Sequence, residues 1–135
     1  MFDTVIEKIM IHTDILKSGI KASLMILKSA KEKNLDQIEF WTENRERIIA
    51  STSQKQRDVE QLLNNLPQEE ATKENMDVVR TWFDDTQNWI QAISNIDEEI
   101  VTALSDQKDQ MTREIASTHK TKQVFSGYNL KSVSK

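Results

Sequence analysis

Turn-forming residues are almost missing from this chain: 135 residues contain two glycines, Gly19 and Gly127, and one proline, Pro67. A multi-stranded sheet needs tight turns at short intervals, and glycine and proline are the residues that make many of those turns without strain. The scarcity excludes an all-β or doubly wound α/β chain and leaves long helices joined by few connections. Length sets the scale, since 135 residues is one domain with enough chain for a core. Charged residues make up 30% and the apolar set 37%, which fits a folded helical protein better than a disordered tail or a membrane protein.

There is no cysteine, which removes disulfides, thiolate metal sites and cysteine nucleophiles together. A cytoplasmic location is therefore expected. Residues 1–15 carry Asp3, Glu7 and Asp14 among their apolar residues, unlike a basic-then-apolar leader peptide. Lys17, Lys21, Lys28 and Lys31 interrupt the apolar pattern well before the roughly 18 residues that a membrane span needs. No membrane insertion is expected. The net charge of −4 conceals a gradient: residues 1–66 hold 10 basic and 10 acidic side chains, residues 67–119 hold 4 and 12, and residues 120–135 hold 4 and 0. Binding a phosphate backbone takes a concentrated basic face, so nucleic acid is not an expected partner. The basic end is either a solvated terminus or a binding segment.

Hydrophobic spacing then predicts three long helices. From about residue 3 to 33, Val5, Ile6, Ile9, Ile15/Leu16, Ile20, Leu24 and Leu27 recur at three- and four-residue steps. Gly19 lies inside this stripe, where it costs about 1 kcal/mol relative to alanine, and a packing reason explains it better than a break. The pattern resets at Lys33-Asn34-Leu35-Asp36, where Asn34 or Asp36 is the candidate cap and Glu39 stands three residues after Asp36 as in a capping box. A second helix over about 36–66 carries Ile38, Trp41, Ile48/Ile49, Val59, Leu62/Leu63 and Leu66 before Pro67 stops it. Its middle, residues 50–58, is weakly apolar. There the core is built by the other helices, or a groove is left open.

A third run begins near Met76 and extends over about 75–125, with two adjacent stripes: Met76, Val79, Phe83, Ile90, Ile93 and Leu104, and beside them Trp82, Trp89, Ile96, Ile100 and Ala103. So broad an apolar arc faces two neighbours at once, which favours an antiparallel all-α bundle over a two-stranded rod. The expected fold is a single domain over residues 1–125, with the third helix either continuous or broken into a third and fourth, and a flexible tail over 126–135. At 1.5 Å per residue the first two helices are roughly 45 Å long and an unbroken third is roughly 75 Å. The third therefore overhangs the hairpin. Residues 105–123 retain only Met111 and Ile115 as large apolar side chains, and such a stripe bends back, packs on a second copy or awaits a partner.

Catalytic signatures are not among the motifs. His12 and His119 are the only imidazoles, and neither has Glu or His at the spacing of a helical metal site, so both read as surface or helix-face residues. The acid pairs Glu69/Glu70, Asp84/Asp85 and Glu98/Glu99 point about 100° apart on a helix and do not make a carboxylate dyad. Neither catalytic nor metal-binding residues are expected, nor any cofactor. Trp41, Trp82 and Trp89 are either bundle core or the lining of a groove that accepts a partner helix, and Met10, Met25, Met76 and Met111 permit the same two readings. After Gly127 as a helix stop, Phe125, Tyr128 and Leu130 either pack back as a cap or are presented to a partner.

The stretch Lys33-Asn34-Leu35-Asp36-Gln37-Ile38 leading into Glu43-Asn44-Arg45-Glu46-Arg47-Ile48-Ile49 is similar to the second-helix pattern of the small FliT/FlgN-type flagellar export chaperones. The run Ile93-Ser94-Asn95-Ile96-Asp97-Glu98-Glu99-Ile100, a later Glu114-Ile115 and then Gly127-Tyr128 resemble that family's third helix and tail, so the likeness spans residues 20–128 and leans to the FliT branch. The resemblance implies a cytoplasmic, non-enzymatic holdase. Such a protein binds the amphipathic helical end of a filament-cap or hook-associated subunit and delivers it to the type III export apparatus. It also implies that Tyr128 contacts the export gate. The overhang argument assigns client binding to Ile93, Ile96, Ile100, Leu104, Met111 and Ile115, with residues 105–125 covering or extending an apolar groove. The family's fold-back of a fourth helix is left open by the long third segment, as is a weak homodimer. The alternative is a structural coiled-coil adaptor that dimerises through its third helix.

Overall fold

The computed structural model describes the backbone of residues 1–115 and the side chains of residues 1–106. Three helices, α1 (Phe2–Lys31), α2 (Leu35–Asn64) and α3 (Lys73–Ile115), are joined by a short turn and by a loop holding a 3-10 turn at Gln68–Glu70. The chain is an all-α bundle. α2 runs antiparallel to α1, with Ile38 beside Ile26 and Ala30, and Val59 beside Val5. α3 runs parallel to α1, so that His12 meets Trp82, Gly19 meets Ile93, and Ile26 and Ala30 meet Ile100 and Leu104.

Each boundary has a local cause. Lys33 adopts a left-handed conformation, φ 58°, and turns the chain out of α1. The Lys33 N–H then reaches the Ala30 carbonyl at 3.2 Å and the Asn34 N–H the Ser29 carbonyl at 3.0 Å, so carbonyls left over at the helix end are satisfied. Asn34, not Asp36, caps α2: its side chain accepts from the Gln37 N–H at 3.2 Å. α2 closes at Asn64, and Pro67 opens the 3-10 turn. α3 starts three residues earlier than its apolar stripe, because Thr72 Oγ1 accepts from the Asn75 N–H at 3.1 Å and the Thr72 carbonyl takes the Met76 N–H. Glu70 ties this loop back to the start of α1, its Oε1 accepting from the Phe2 N–H at 2.8 Å. That hydrogen bond, reinforced by the nearby Met1 ammonium, holds the Glu70 carboxyl below the usual carboxylate range.

The core sits in two clusters at opposite ends of the bundle. At the α1–α2 turn, Ile26, Leu27, Ala30, Ile38, Ile100 and Leu104 are buried together, with Leu35, Trp41, Ile96 and Ala103 packed around them. At the other end Phe2, Val5, Val59 and Trp82 are buried against Ile9, Leu62, Leu63, Leu66 and Val79. The buried stripe of α1 differs from the apolar spacing alone: it runs through His12, Leu16, Gly19, Ser23 and Ile26, while Ile6 and Leu24 face solvent. His12 is thus a core residue and not a surface one.

The unequal helix lengths have the expected consequence. α1 ends at Lys31, level with Ser105, so the rest of α3 through Ile115 projects past the hairpin by about 15 Å. α3 is one helix to that point, with no break after residue 105. The fourth-helix alternative, where it falls on residues 116–125, and the tail at 126–135 lie outside the described residues.

Candidate helix-binding groove

α1 packs against both α2 and α3, and halfway along the bundle α2 and α3 stand apart. Between them is a groove enclosing about 230 Å³. Leu16 and Gly19 of α1 form its floor; Ile48, Ile49, Thr52, Ser53 and Gln56 form one wall; Thr86, Ile90 and Ile93 form the other. Ile38 and Val59 are buried in the core clusters at the two ends, whereas the weakly apolar middle of α2 offers the short side chains Thr52 and Ser53 to the groove.

The lining is more apolar than its sequence. Thr52 Oγ1 donates to the Ile48 carbonyl at 2.9 Å and Thr86 Oγ1 to the Trp82 carbonyl at 2.7 Å. Both hydroxyls are satisfied within their own helices, so an occupant meets no unpaired donor there and each threonine has a methyl group to offer. Ile49 and Ile90 are each 47% exposed at the rim, although both belong to the apolar stripes of their helices. An ion pair closes the groove toward the α1–α2 turn. Arg45 and Asp97 meet bidentately, through Nη1 to Oδ1 and through Nη2 to Oδ2 at 2.8 Å. The groove is a slot bounded by a salt bridge at one end and by the Trp82 cluster at the other.

His12 and Trp82 join α1 to α3 beside the slot. Trp82 Nε1 donates to His12 Nδ1 at 3.0 Å, and the rings meet edge to face with centroids 5.5 Å apart. Accepting at Nδ1 puts the neutral imidazole's proton on Nε2, which is buried and has no partner among the described residues. Burial pushes the His12 pKa down, so the ring is neutral at physiological pH. Among the described residues no group of three His, Asp or Glu side chains is placed to hold a metal ion, and no described helix is long and apolar enough to cross a membrane.

The residues assigned to client binding from the sequence divide into three groups. Ile93 lines the groove. Ile96 is half-buried against the core at the α1–α2 turn, and Ile100 and Leu104 are wholly buried within it, so they hold the bundle shut and present no open face. The overhang begins beyond Leu104, which is why these two are core. Met111 and Ile115 lie on the α3 backbone with side chains outside the described set, and Tyr128 lies outside the described residues. Ile93 is the one groove residue in that assignment; Ile48, Ile49, Thr52, Thr86 and Ile90 are among those outside it. The signal for them was present in the weak middle of α2, and it needed the register of α3 to name the opposite wall.

Trp82 is core, and Trp41 is half-buried at the turn end with Phe40 edge-to-face against it at 5.3 Å. Comparison with protein-family models, curated proteins and solved structures returns no match to this chain.

Proposed function

We propose that the protein is a non-enzymatic chaperone that holds an amphipathic helix of another protein in the groove between α2 and α3. The observation that carries this reading is the open seam itself: two aligned helices leave isoleucines exposed at the rim of an apolar floor, and the threonine hydroxyls of the walls are bonded within their own helices, which suits an apolar helix face. The resemblance to FliT/FlgN-type chaperones gives the cargo as the terminal helix of a filament-cap or hook-associated subunit. The flagellar type III export machinery is then the destination, the cytoplasm the setting, and Tyr128 the residue that engages the export gate.

Burying two or three leucine-sized side chains, each worth roughly 1.5–3 kcal/mol, is enough for micromolar capture after association costs are subtracted. Titrating synthetic terminal-helix peptides of such subunits into the full chain tests this by calorimetry. Micromolar binding that Ile90→Glu weakens at least roughly tenfold, and that Phe40→Ala leaves unchanged, is the expected result. Equal binding by the wild type and Ile90→Glu removes the groove from the account. Tyr128→Ala should then spare capture and impair delivery in an export assay; loss of both refutes a separate role for the tail.

A further inference from the structure

The solvent face of α1, on the side away from the groove, carries an ordered charge pattern that the chaperone reading does not use. Asp3, Glu7, Met10, Asp14, Lys17, Lys21, Leu24, Lys28 and Lys31 recur at three- and four-residue steps, and all nine are exposed. They form one continuous stripe opposite the buried one. Acids occupy its first half and lysines its second. Among the described residues none of these seven charges has an ion-pair partner. Within the stripe stand two large apolar side chains, Met10 at 62% and Leu24 at 49% exposure.

We infer that this face is a homodimer interface, on which a second copy of the chain lies antiparallel about a two-fold axis at Lys17. Reversing the stripe and laying it on itself puts Glu7 opposite Lys28 and Asp14 opposite Lys21 of the other copy, with Asp3 opposite Lys31 at the edge. The same register sets Met10 against Leu24. Each contact occurs twice, as an isologous interface requires. A parallel arrangement instead places like charges side by side, and a uniformly anionic partner leaves Asp3, Glu7 and Asp14 repelled. Only a partner with the same pattern reversed satisfies both halves.

Two features set the strength. Lys17 meets its own copy across the axis, with Asp14 of each chain one turn away, so the centre of the stripe works against association. Lys31 also borders Glu98 and Asp106 of its own α3, which makes the outermost pair the weakest. An interface one helix wide buries less than the roughly 1,600 Å² of a standard complex. The dimer is therefore concentration-dependent and weakened by salt, because its charges sit at the surface.

Sedimentation equilibrium of the full chain at low and high ionic strength tests this with two charge-reversal pairs. Lys21→Glu with Lys28→Glu, and separately Glu7→Lys with Asp14→Lys, each turn four attractive pairs repulsive and should raise the dissociation constant on the order of a hundredfold. Mixing the two variants should restore association as a heterodimer, since acid then faces base again in all four of those pairs. Lys17→Leu should tighten the wild-type dimer. A wild type that stays monomeric overturns the inference, including one that instead binds phosphatidylglycerol vesicles through the lysines. So does a dimer that neither charge reversal weakens.

Discussion

The ends and the middle of this bundle are built on the same helical spacing and come out differently. At the α1–α2 turn Ile38 of α2 is buried in one cluster with Ile100 and Leu104 of α3, and at the far end Val59 is buried in one with Trp82. Between these points the same face of α2 offers Thr52, Ser53 and Gln56 over Gly19, and the seam stands open with Ile49 and Ile90 at its rim. Three- and four-residue periodicity lays the helices side by side; side-chain volume at the seam decides where the bundle is closed. A partner helix is most naturally received where phase continues and volume is missing.

The sharpest way to break this contrast is truncation at matched positions. Leu104→Ala removes buried contacts at a sealed end and should cost about 2–5 kcal/mol in urea denaturation, whereas Ile90→Ala at the open seam should cost less than about 1 kcal/mol. Similar losses at the two sites mean that the middle is packed as tightly as the ends.

Acid tests the end that contains Trp82. The folded chain holds the His12 pKa below its ordinary value by burial, while the unfolded chain takes up the proton near the ordinary value of about 6.5. Stability contributed by neutral His12 is thus present above that pH and is lost as pH falls below it. Glu70, whose carboxyl is held low by the Phe2 N–H, gives up its contribution only at more acid pH, in and below the carboxylate range. Urea midpoints at pH 7 and pH 5 should fall further for the wild type than for His12→Gln, which keeps an acceptor for Trp82 and cannot titrate. An identical drop in both assigns the acid sensitivity to other groups.

A smaller effect sharpens the description of the floor. A Cβ added at Gly19 would sit 3.5 Å from Ile48 Cγ2 and 3.7 Å from Ile93 Cδ1, ordinary contact distances. Gly19→Ala should therefore stabilise the chain by about 0.5–1 kcal/mol through helix propensity, while making the groove shallower and peptide capture weaker. Destabilisation instead would show that the two walls press more closely on α1.

Much of the architecture is legible in the sequence because it depends on local rules. Asn34 caps α2, Pro67 follows its end, and the weakly apolar stretch at 50–58 announces the gap. Two things are not legible for definite physical reasons. His12 falls in phase between Val5 and Leu16, but as a polar residue it reads as surface until Trp82 is placed to donate to it. The burial of Ile100 and Leu104, which the sequence assigns to client binding, depends on the register of α3 against α1, and that register is set by contacts between segments far apart in the chain.

Isoleucine methyl NMR reports on the open seam and the sealed core in one experiment. With isoleucine methyl groups labelled and a client-derived amphipathic helix titrated in, Ile48, Ile49, Ile90 and Ile93 should shift or broaden together, while Ile26, Ile38 and Ile100 stay in place. Perturbation of Ile100 and Ile115 with the groove isoleucines unmoved would contradict the account and return binding to the far end of α3.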